Sequence, residues 1–149
     1  MLAFFFLAIP ILISDWRYRR IPNIYMLLFL YWVMTMRVIS GIASIKTIFF
    51  VLLIALSALL IMRIGMGDAK FFVIIALALN LPSAWSLALL IICIYLSAIA
   101  QIIITSAYYR RVPSSIPLAF ALFFGTVLYL AARNSPSLRQ YSDALVNSW

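Results

Sequence analysis

The chain has 149 residues, of which 68% are hydrophobic and 9% are charged, and its formal net charge is +8. A water-soluble surface needs about 25% charged residues, so this composition excludes an ordinary soluble globular protein and favours an integral membrane protein. In a soluble chain the positive charge would suggest nucleic-acid binding. Here the Arg and Lys residues stand between hydrophobic runs, where they set topology and contact anionic lipid headgroups. We therefore expect the lipid bilayer as a partner, and no nucleic acid.

Six apolar stretches follow one another along the chain, and each predicts one helix. They cover residues 1–14, 24–39, 45–64, about 68–80, 84–108 and 115–132. Short breaks rich in Gly, Pro, Asn, Ser or Arg separate them, and no linker is long enough to divide the chain. The sequence thus predicts an all-α polytopic membrane protein with about six transmembrane helices. We expect one membrane-embedded domain over 1–132 and a short polar C-terminal tail over 133–149.

The basic residues are distributed unevenly between the two sides of such a bundle. Seven of them fall in the loops between helices 1 and 2, 3 and 4, and 5 and 6, whereas four fall on the opposite side. Cytoplasmic loops carry the excess of Lys and Arg in membrane proteins. This asymmetry predicts that the three odd-numbered loops are cytoplasmic and that both termini lie outside.

Two of the predicted helices are short for a bilayer. The stretch 68–80 has 13 residues, which gives about 20 Å of helix against a hydrocarbon core of about 30 Å. The first stretch has 14 residues and a similar deficit. We expect either local thinning of the bilayer or helices that begin below the headgroups, with their cytoplasmic ends in a hydrated dent of the membrane.

Acid–base chemistry is restricted to very few side chains. The chain has no Glu and no His, one cysteine, and only three carboxylates, which are Asp15, Asp68 and Asp143. Asp15 and Asp68 stand at the predicted cytoplasmic edge of apolar segments, whereas Asp143 lies in the polar tail. An acid followed by arginines, as at Asp15, is often a juxtamembrane ion pair, and Asp68 could simply cap a helix. Either position by itself gives weak support for a function.

Two motifs taken together are more specific than either aspartate. Ile21-Pro22-Asn23 follows Asp15, and Gly65-Met66-Gly67-Asp68-Ala69-Lys70 comes one helical hairpin later. This pattern resembles the type IV prepilin peptidase family, which also has a late segment with spaced prolines and a glycine, here Pro113, Pro117 and Gly125. Presenilin and signal peptide peptidase share the Gly-x-Gly-Asp element but not the Ile-Pro-Asn element, so the likeness favours the prepilin peptidase branch.

The resemblance implies a role for each matched position. Asp15 and Asp68 match the two catalytic aspartates of the family. Supporting motif positions fall at Pro22, Asn23, Gly65, Gly67 and Lys70. No metal ligand and no cofactor are implied.

A pair of aspartates can hydrolyse a peptide bond without Ser, Cys, His or metal if the two share one proton. Like charges separated by about 4 Å repel by about 4 kcal/mol at an effective dielectric near 20, which is about three pKa units. One carboxyl is thereby kept protonated. The ionised partner takes a proton from the attacking water, while the protonated one stabilises the oxyanion and then protonates the leaving amine. The sequence leaves open which aspartate has which role, because coupled groups titrate as a pair.

The substrate implied by the resemblance is a type IV pilin-like precursor, whose basic leader peptide is removed at the cytoplasmic face of the prokaryotic inner membrane during pilus biogenesis. Large members of the family carry an additional four-cysteine region and also N-methylate the new terminus with S-adenosylmethionine. This chain has one cysteine and no such region. It is similar to the small members that serve Flp/Tad-type pili, and we expect a peptidase without methyltransferase activity.

Two functions from other classes remain as alternatives. A small ion-coupled transporter or channel subunit would use intramembrane acids to carry protons or cations. Against this, the sequence has no internal repeat and no acid near the middle of an apolar segment. A structural assembly factor of a secretion machine would have no need of two acids at the same edge.

Overall fold

The computed structural model of the chain describes residues 2–18, 21–41, 45–62, 65–110 and 117–135, with the side chains of 2–5, 45 and 61–62 left out. The described residues form six helices and contain no strand. These helices are α1 (Leu2–Tyr18), α2 (Asn23–Ser40), α3 (Ile45–Met62), α4 (Met66–Leu79), α5 (Ala84–Tyr109) and α6 (Leu118–Asn134). The prediction of an all-α chain with six helices is confirmed for this part of the protein.

The predicted boundaries of α1, α4 and α6 differ from the observed ones by two residues or more, and α4 begins at Met66 instead of about residue 68. The break expected to begin at Asp15 is wrong, because α1 continues to Tyr18 and includes that aspartate in its last turn. A charged side chain can lie inside a helix when another element supplies a hydrogen-bond donor for it. Here the first turn of α6 supplies that donor to Asp15. At the other end of the chain α6 continues to Asn134, so the boundary expected after residue 132 falls inside the helix. Most of the predicted tail, including Asp143, lies outside the described residues.

The short helix α4 lies in the centre of the bundle. It packs against α2, α3 and α6, and seven of its 14 residues are buried. A helix that is apolar on all sides is typical of such an interior position. Its length was predicted correctly to within one residue, and its position gives a reason for that length. A helix that is surrounded by longer helices does not need to be long enough to cross the bilayer itself.

α2 and α4 are parallel and are joined near both ends. At their C-terminal ends, the Arg37 guanidinium donates hydrogen bonds to the carbonyl oxygens of Leu77 at 2.9 Å and Ala78 at 2.5 Å. The last carbonyls of a helix have no partner inside the helix, and a cation is favourable there. Arg37 therefore binds two carbonyl groups at the C-terminal end of α4. The residue after this helix, Asn80, has a left-handed backbone conformation.

α5 and α6 come into close contact at Gly125. A Cβ atom added to Gly125 would lie only 2.6 Å from the Cα atom of Ile94 in α5. Small residues let the backbones of membrane helices approach each other in this way. The contact fixes the position of α6, and with it the first turn of α6 that enters the site described below.

The outer surface of the helices is largely apolar. Two of the described helices, α2 with 18 residues and α5 with 26, are long and apolar enough to cross a membrane. Large exposed hydrophobic side chains include Phe6 in α1, Leu60 in α3 and Ile104 in α5. These findings agree with association with a membrane, while six complete spans stay a prediction.

Candidate active site

The first turn of α6 holds the carboxylate of Asp15. The Oδ2 atom of Asp15 accepts a hydrogen bond of 3.1 Å from the backbone N–H of Ala119. Pro117 is the N-cap of α6, so Ala119 is the second residue of that helix and its N–H has no partner inside the helix. Asp15 is 6% exposed and Ala119 is fully buried. A buried acid at the positive end of a helix dipole is a favourable arrangement for a negative charge.

Asp68 lies in the first turn of α4, and one of its carboxylate oxygens lacks the kind of hydrogen bond that Asp15 has. Its backbone N–H donates to the carbonyl oxygen of Gly65 at 3.0 Å. Its side-chain Oδ1 atom is buried and has no hydrogen-bond partner among the described residues. The Asp68 carboxylate lies close to Gly65. A Cβ atom added to Gly65 would be only 3.1 Å from the Oδ2 atom of Asp68. The first glycine of the motif thus leaves room for the Asp68 carboxylate.

The two aspartates influence each other electrostatically. Burial, and in addition the negative charge of Asp15, raise the pKa of Asp68 above its ordinary value. Asp68 lies outside the two helices that are long enough to span a membrane. Asp15 of α1 and Asp68 of α4 are therefore near enough to interact electrostatically, and their catalytic pairing stays a prediction. Two acids with such different surroundings are suited to general acid–base catalysis.

An apolar cavity of about 310 Å³ adjoins Asp68 between α3, α4, α5 and α6. Asp68 is the only charged residue among the described residues that line it. The other lining residues include Ala58, Phe72, Ile91, Tyr95 and Leu118. The side chain of Asp68 is thus enclosed on one side by hydrocarbon, which disfavours its charged form.

The two sequence motifs contact each other in space. Pro22 is the N-cap of α2 in an extended conformation, and Asn23 is the first residue of that helix. The Lys70 amino group donates a hydrogen bond of 3.4 Å to the Asn23 side-chain oxygen. Gly67 lies against Ile21, since a Cβ atom added to this glycine would be 3.4 Å from the Cβ atom of Ile21. Gly65, Gly67 and Lys70 thus lie at the start of α4, which carries Asp68, and Lys70 connects this end of α4 to Pro22 and Asn23 at the start of α2.

A larger groove of about 680 Å³ runs between α2, α3 and α4. Among the described residues that line it, only Asn23 and Lys70 are polar, and both are at the N-terminal ends of their helices. Ala55 and Ala69 line both this groove and the smaller cavity beside Asp68. Two small side chains are thus shared between the groove and the cavity.

Sequence reasoning missed the contribution of α6. The N–H group of Ala119 is a backbone group and has no signature of its own, although Pro117 before an apolar run is a signal for a helix start with free N–H groups. The two partners of this hydrogen bond are 104 residues apart, so no local pattern connects them. Pro113, which the motif comparison included, lies outside the described residues.

Within the described residues, no three side chains of His, Cys, Asp or Glu come together as a metal site would require. A scan against protein-family models and searches of curated proteins and of solved structures find no match to this chain. The likeness to the prepilin peptidases therefore rests on the sequence alone: the two motifs, Asp15 and Asp68, and the late Pro113, Pro117 and Gly125.

Proposed function

We propose that this protein is an aspartic endopeptidase of the prokaryotic inner membrane, which removes the basic leader peptide from type IV pilin-like precursors. The observation that carries the proposal is the electrostatic interaction of Asp68 with Asp15, whose carboxylate is bound by the first turn of α6. In a chain with three carboxylates, a chance juxtaposition of two would be costly, because each raises the free energy of the other's charged form. Such a cost is common where catalysis requires it.

The chemistry needs only these two side chains and water. One carboxylate takes a proton from a water molecule, and the resulting hydroxide attacks the carbonyl carbon of the scissile peptide bond. The other carboxyl stabilises the oxyanion and then protonates the leaving amine. No cofactor and no metal enter this scheme, and it includes no methyl transfer to the new amino terminus.

Location at the cytoplasmic edge of the membrane agrees with the arrangement of the helix ends. The last turn of α1 and the first turns of α2, α4 and α6 lie at one end of the bundle, since Asp15, Lys70 and Ala119 make their contacts there. The positive-inside bias of the sequence assigns this end to the cytoplasm and both termini to the outside. A leader peptide that is basic and cytoplasmic would meet the aspartates at this edge.

The groove between α2, α3 and α4 suits the apolar segment that follows the leader in such a precursor. Its lining is apolar except at the end marked by Asn23 and Lys70, and it shares two alanines with the cavity beside Asp68. A substrate helix in this groove would keep its apolar surface away from water while its polar end reached Asp68. This placement is part of the proposal.

Reconstitution provides the test. Purified protein is placed in lipid vesicles together with a membrane-embedded pilin precursor, and leader removal is followed by mass spectrometry of the intact precursor. We expect one cut at the end of the leader, unchanged by EDTA or by thiol reagents, and no added methyl group when S-adenosylmethionine is supplied. An uncut precursor, together with proton or cation uptake into vesicles that contain the protein alone, would favour the small transporter.

A further inference from the structure

We propose that the two aspartates have fixed and different roles, with Asp15 as the ionised general base and Asp68 as the protonated general acid. The catalytic part of this assignment rests on the proposed peptidase function. The difference in protonation does not, because it follows from the hydrogen-bond partners and surroundings of each carboxyl group. It can be measured without any substrate.

Asp15 is held in a setting that favours its charged form. The buried N–H of Ala119 points at its Oδ2 atom at 3.1 Å, and the start of α6 supplies the positive end of a helix dipole. A hydrogen bond donated to a carboxylate stabilises the ionised form over the neutral one. Protonation of Asp15 would weaken its hydrogen bond with the Ala119 N–H. Among the described residues, no other acid bonds to this N–H group.

Asp68 is held in a setting that favours its neutral form. Its Oδ1 atom is buried without a partner among the described residues, and apart from Tyr95 the other described residues that line the adjoining cavity are apolar. An ionised oxygen in such a place would lose its hydration without a hydrogen bond to replace it. The first turn of α4 also offers a positive dipole end to Asp68, but the buried Oδ1 atom of Asp68 has no N–H donor among the described residues, whereas the Oδ2 atom of Asp15 has one. The same burial, with Asp15 nearby, raises the pKa of Asp68.

Among the described residues, few other titratable groups lie near the two aspartates. Tyr95 of α5 lines the cavity with Asp68, while the described residues of α3 and α6 that line it are apolar. Lys70 of α4 is exposed and is bonded to Asn23 of α2. Arg17 of α1 is exposed, and its guanidinium lies over the ring of Tyr18. Four further arginines in these loops, Arg19, Arg20, Arg63 and Arg111, lie outside the described residues.

The reaction balances with these roles. The Asp15 carboxylate takes a proton from water, and the hydroxide forms a bond to the scissile carbonyl carbon, whose electron pair moves to the oxygen. The Asp68 proton stabilises this oxyanion and then passes to the amide nitrogen. The carbon–nitrogen bond breaks as the oxyanion returns its electron pair, which leaves a carboxylic acid and an amine. Transfer of one proton from Asp15 to Asp68 restores the starting state.

The composition of the chain allows a direct test by infrared spectroscopy. Because the protein has three Asp and no Glu, the carboxyl bands of protein labelled with ¹³C at the Asp side chains come from three residues only. We expect one Asp carboxyl to keep its proton to a pH well above the ordinary Asp range of about 3.9. The band of this protonated carboxyl should be absent in Asp68→Asn and unchanged in Asp143→Asn. In Asp15→Asn it should still be present, but it should disappear at a somewhat lower pH than in the wild type. Loss of the band in Asp15→Asn with retention in Asp68→Asn, or no such band in the wild type, would overturn the assignment.

A second variant leaves both aspartates in place. Ala119→Pro removes the N–H group that Asp15 accepts from, and no hydrogen bond inside α6 is lost because the N–H of the second helical residue has no partner within the helix. Asp15 should then hold its proton to a higher pH, and the acid limb of the cleavage rate should move to higher pH as well. Ala119→Gly, which keeps the N–H, is the matched control. Equal titration curves for the two variants would contradict the role of this bond, whereas a wild type that never cleaves would contradict the peptidase function alone.

Discussion

The amino group of Lys70 donates a hydrogen bond of 3.4 Å to the side-chain oxygen of Asn23, 47 residues earlier in the chain. Both residues are exposed, and they lie at the N-terminal ends of α4 and α2. The bond therefore ties the helix that carries Asp68 to the helix that begins at the Ile-Pro-Asn motif. It gives a physical reason for the presence of these two residue types at the same end of the bundle.

We predict that Lys70→Ala and Asn23→Ala each lower kcat/KM for precursor cleavage by about two- to fivefold. An exposed hydrogen bond contributes about 0.5–1 kcal/mol, and 1.36 kcal/mol corresponds to about tenfold in rate. The double variant should be no slower than the slower single one, because both changes break the same bond. Lys46→Ala, which alters the other lysine of the chain at an exposed position, is the control and should be silent. A loss above about 100-fold for Lys70→Ala would place Lys70 in the chemistry itself.

The two motif glycines should respond differently to the same substitution. A methyl group at position 65 would stand 3.1 Å from the Asp68 carboxylate, whereas one at 67 would stand 3.4 Å from Ile21 in ordinary van der Waals contact. Gly65→Ala should lower kcat by about tenfold, because small displacements of a catalytic group are costly. Gly67→Ala should stay within about twofold in kcat and raise helix stability by up to about 1 kcal/mol. Equal losses in the two variants, measured in the same cleavage assay, would contradict this account of Gly65.

Gly125→Ala should destabilise the fold. The added Cβ would lie 2.6 Å from backbone Ile94, so α5 and α6 must separate, and overpacking of this kind costs about 1–3 kcal/mol. The measurement is the unfolding midpoint of the protein in detergent, with Gly67→Ala as a control that adds the same methyl group without meeting backbone. An unchanged midpoint for Gly125→Ala would show that α5 and α6 do not approach each other as described.

Reporter fusions test the orientation in the membrane. Fusions after Arg20, Gly67 and Arg111 should report the cytoplasm, and fusions after Ser44 and at Trp149 should report the outer face. The reason is the excess of basic residues in the three odd-numbered loops. A cytoplasmic C-terminus would require an odd number of spans and would remove the basis for placing Asp15 and Asp68 on the same side.

The sequence was sufficient to predict the six helices of the described residues, and insufficient to predict the surroundings of the two aspartates that it singles out. Continuous apolar runs and the breaks between them predict six helices, because hydrophobic length is a local property. The end of α1 was placed too early because Asp15 is satisfied by Ala119, a contact between residues 104 positions apart. The close approach at Gly125 and the orphaned oxygen of Asp68 are likewise products of tertiary packing, which no local pattern reports.

The most direct test of the peptidase function is the rate at which Asp15→Asn and Asp68→Asn remove the leader from a pilin precursor in lipid vesicles. Asn has nearly the same size as Asp but cannot carry the proton, so each variant should lose at least about 10²-fold in rate. The double variant should be no worse than either single one, as expected for residues that act as a unit. Asp143→Asn should cleave normally. If either Asp15→Asn or Asp68→Asn, present in the membrane at the normal level, cleaved at near the wild-type rate, the aspartic peptidase function would be contradicted.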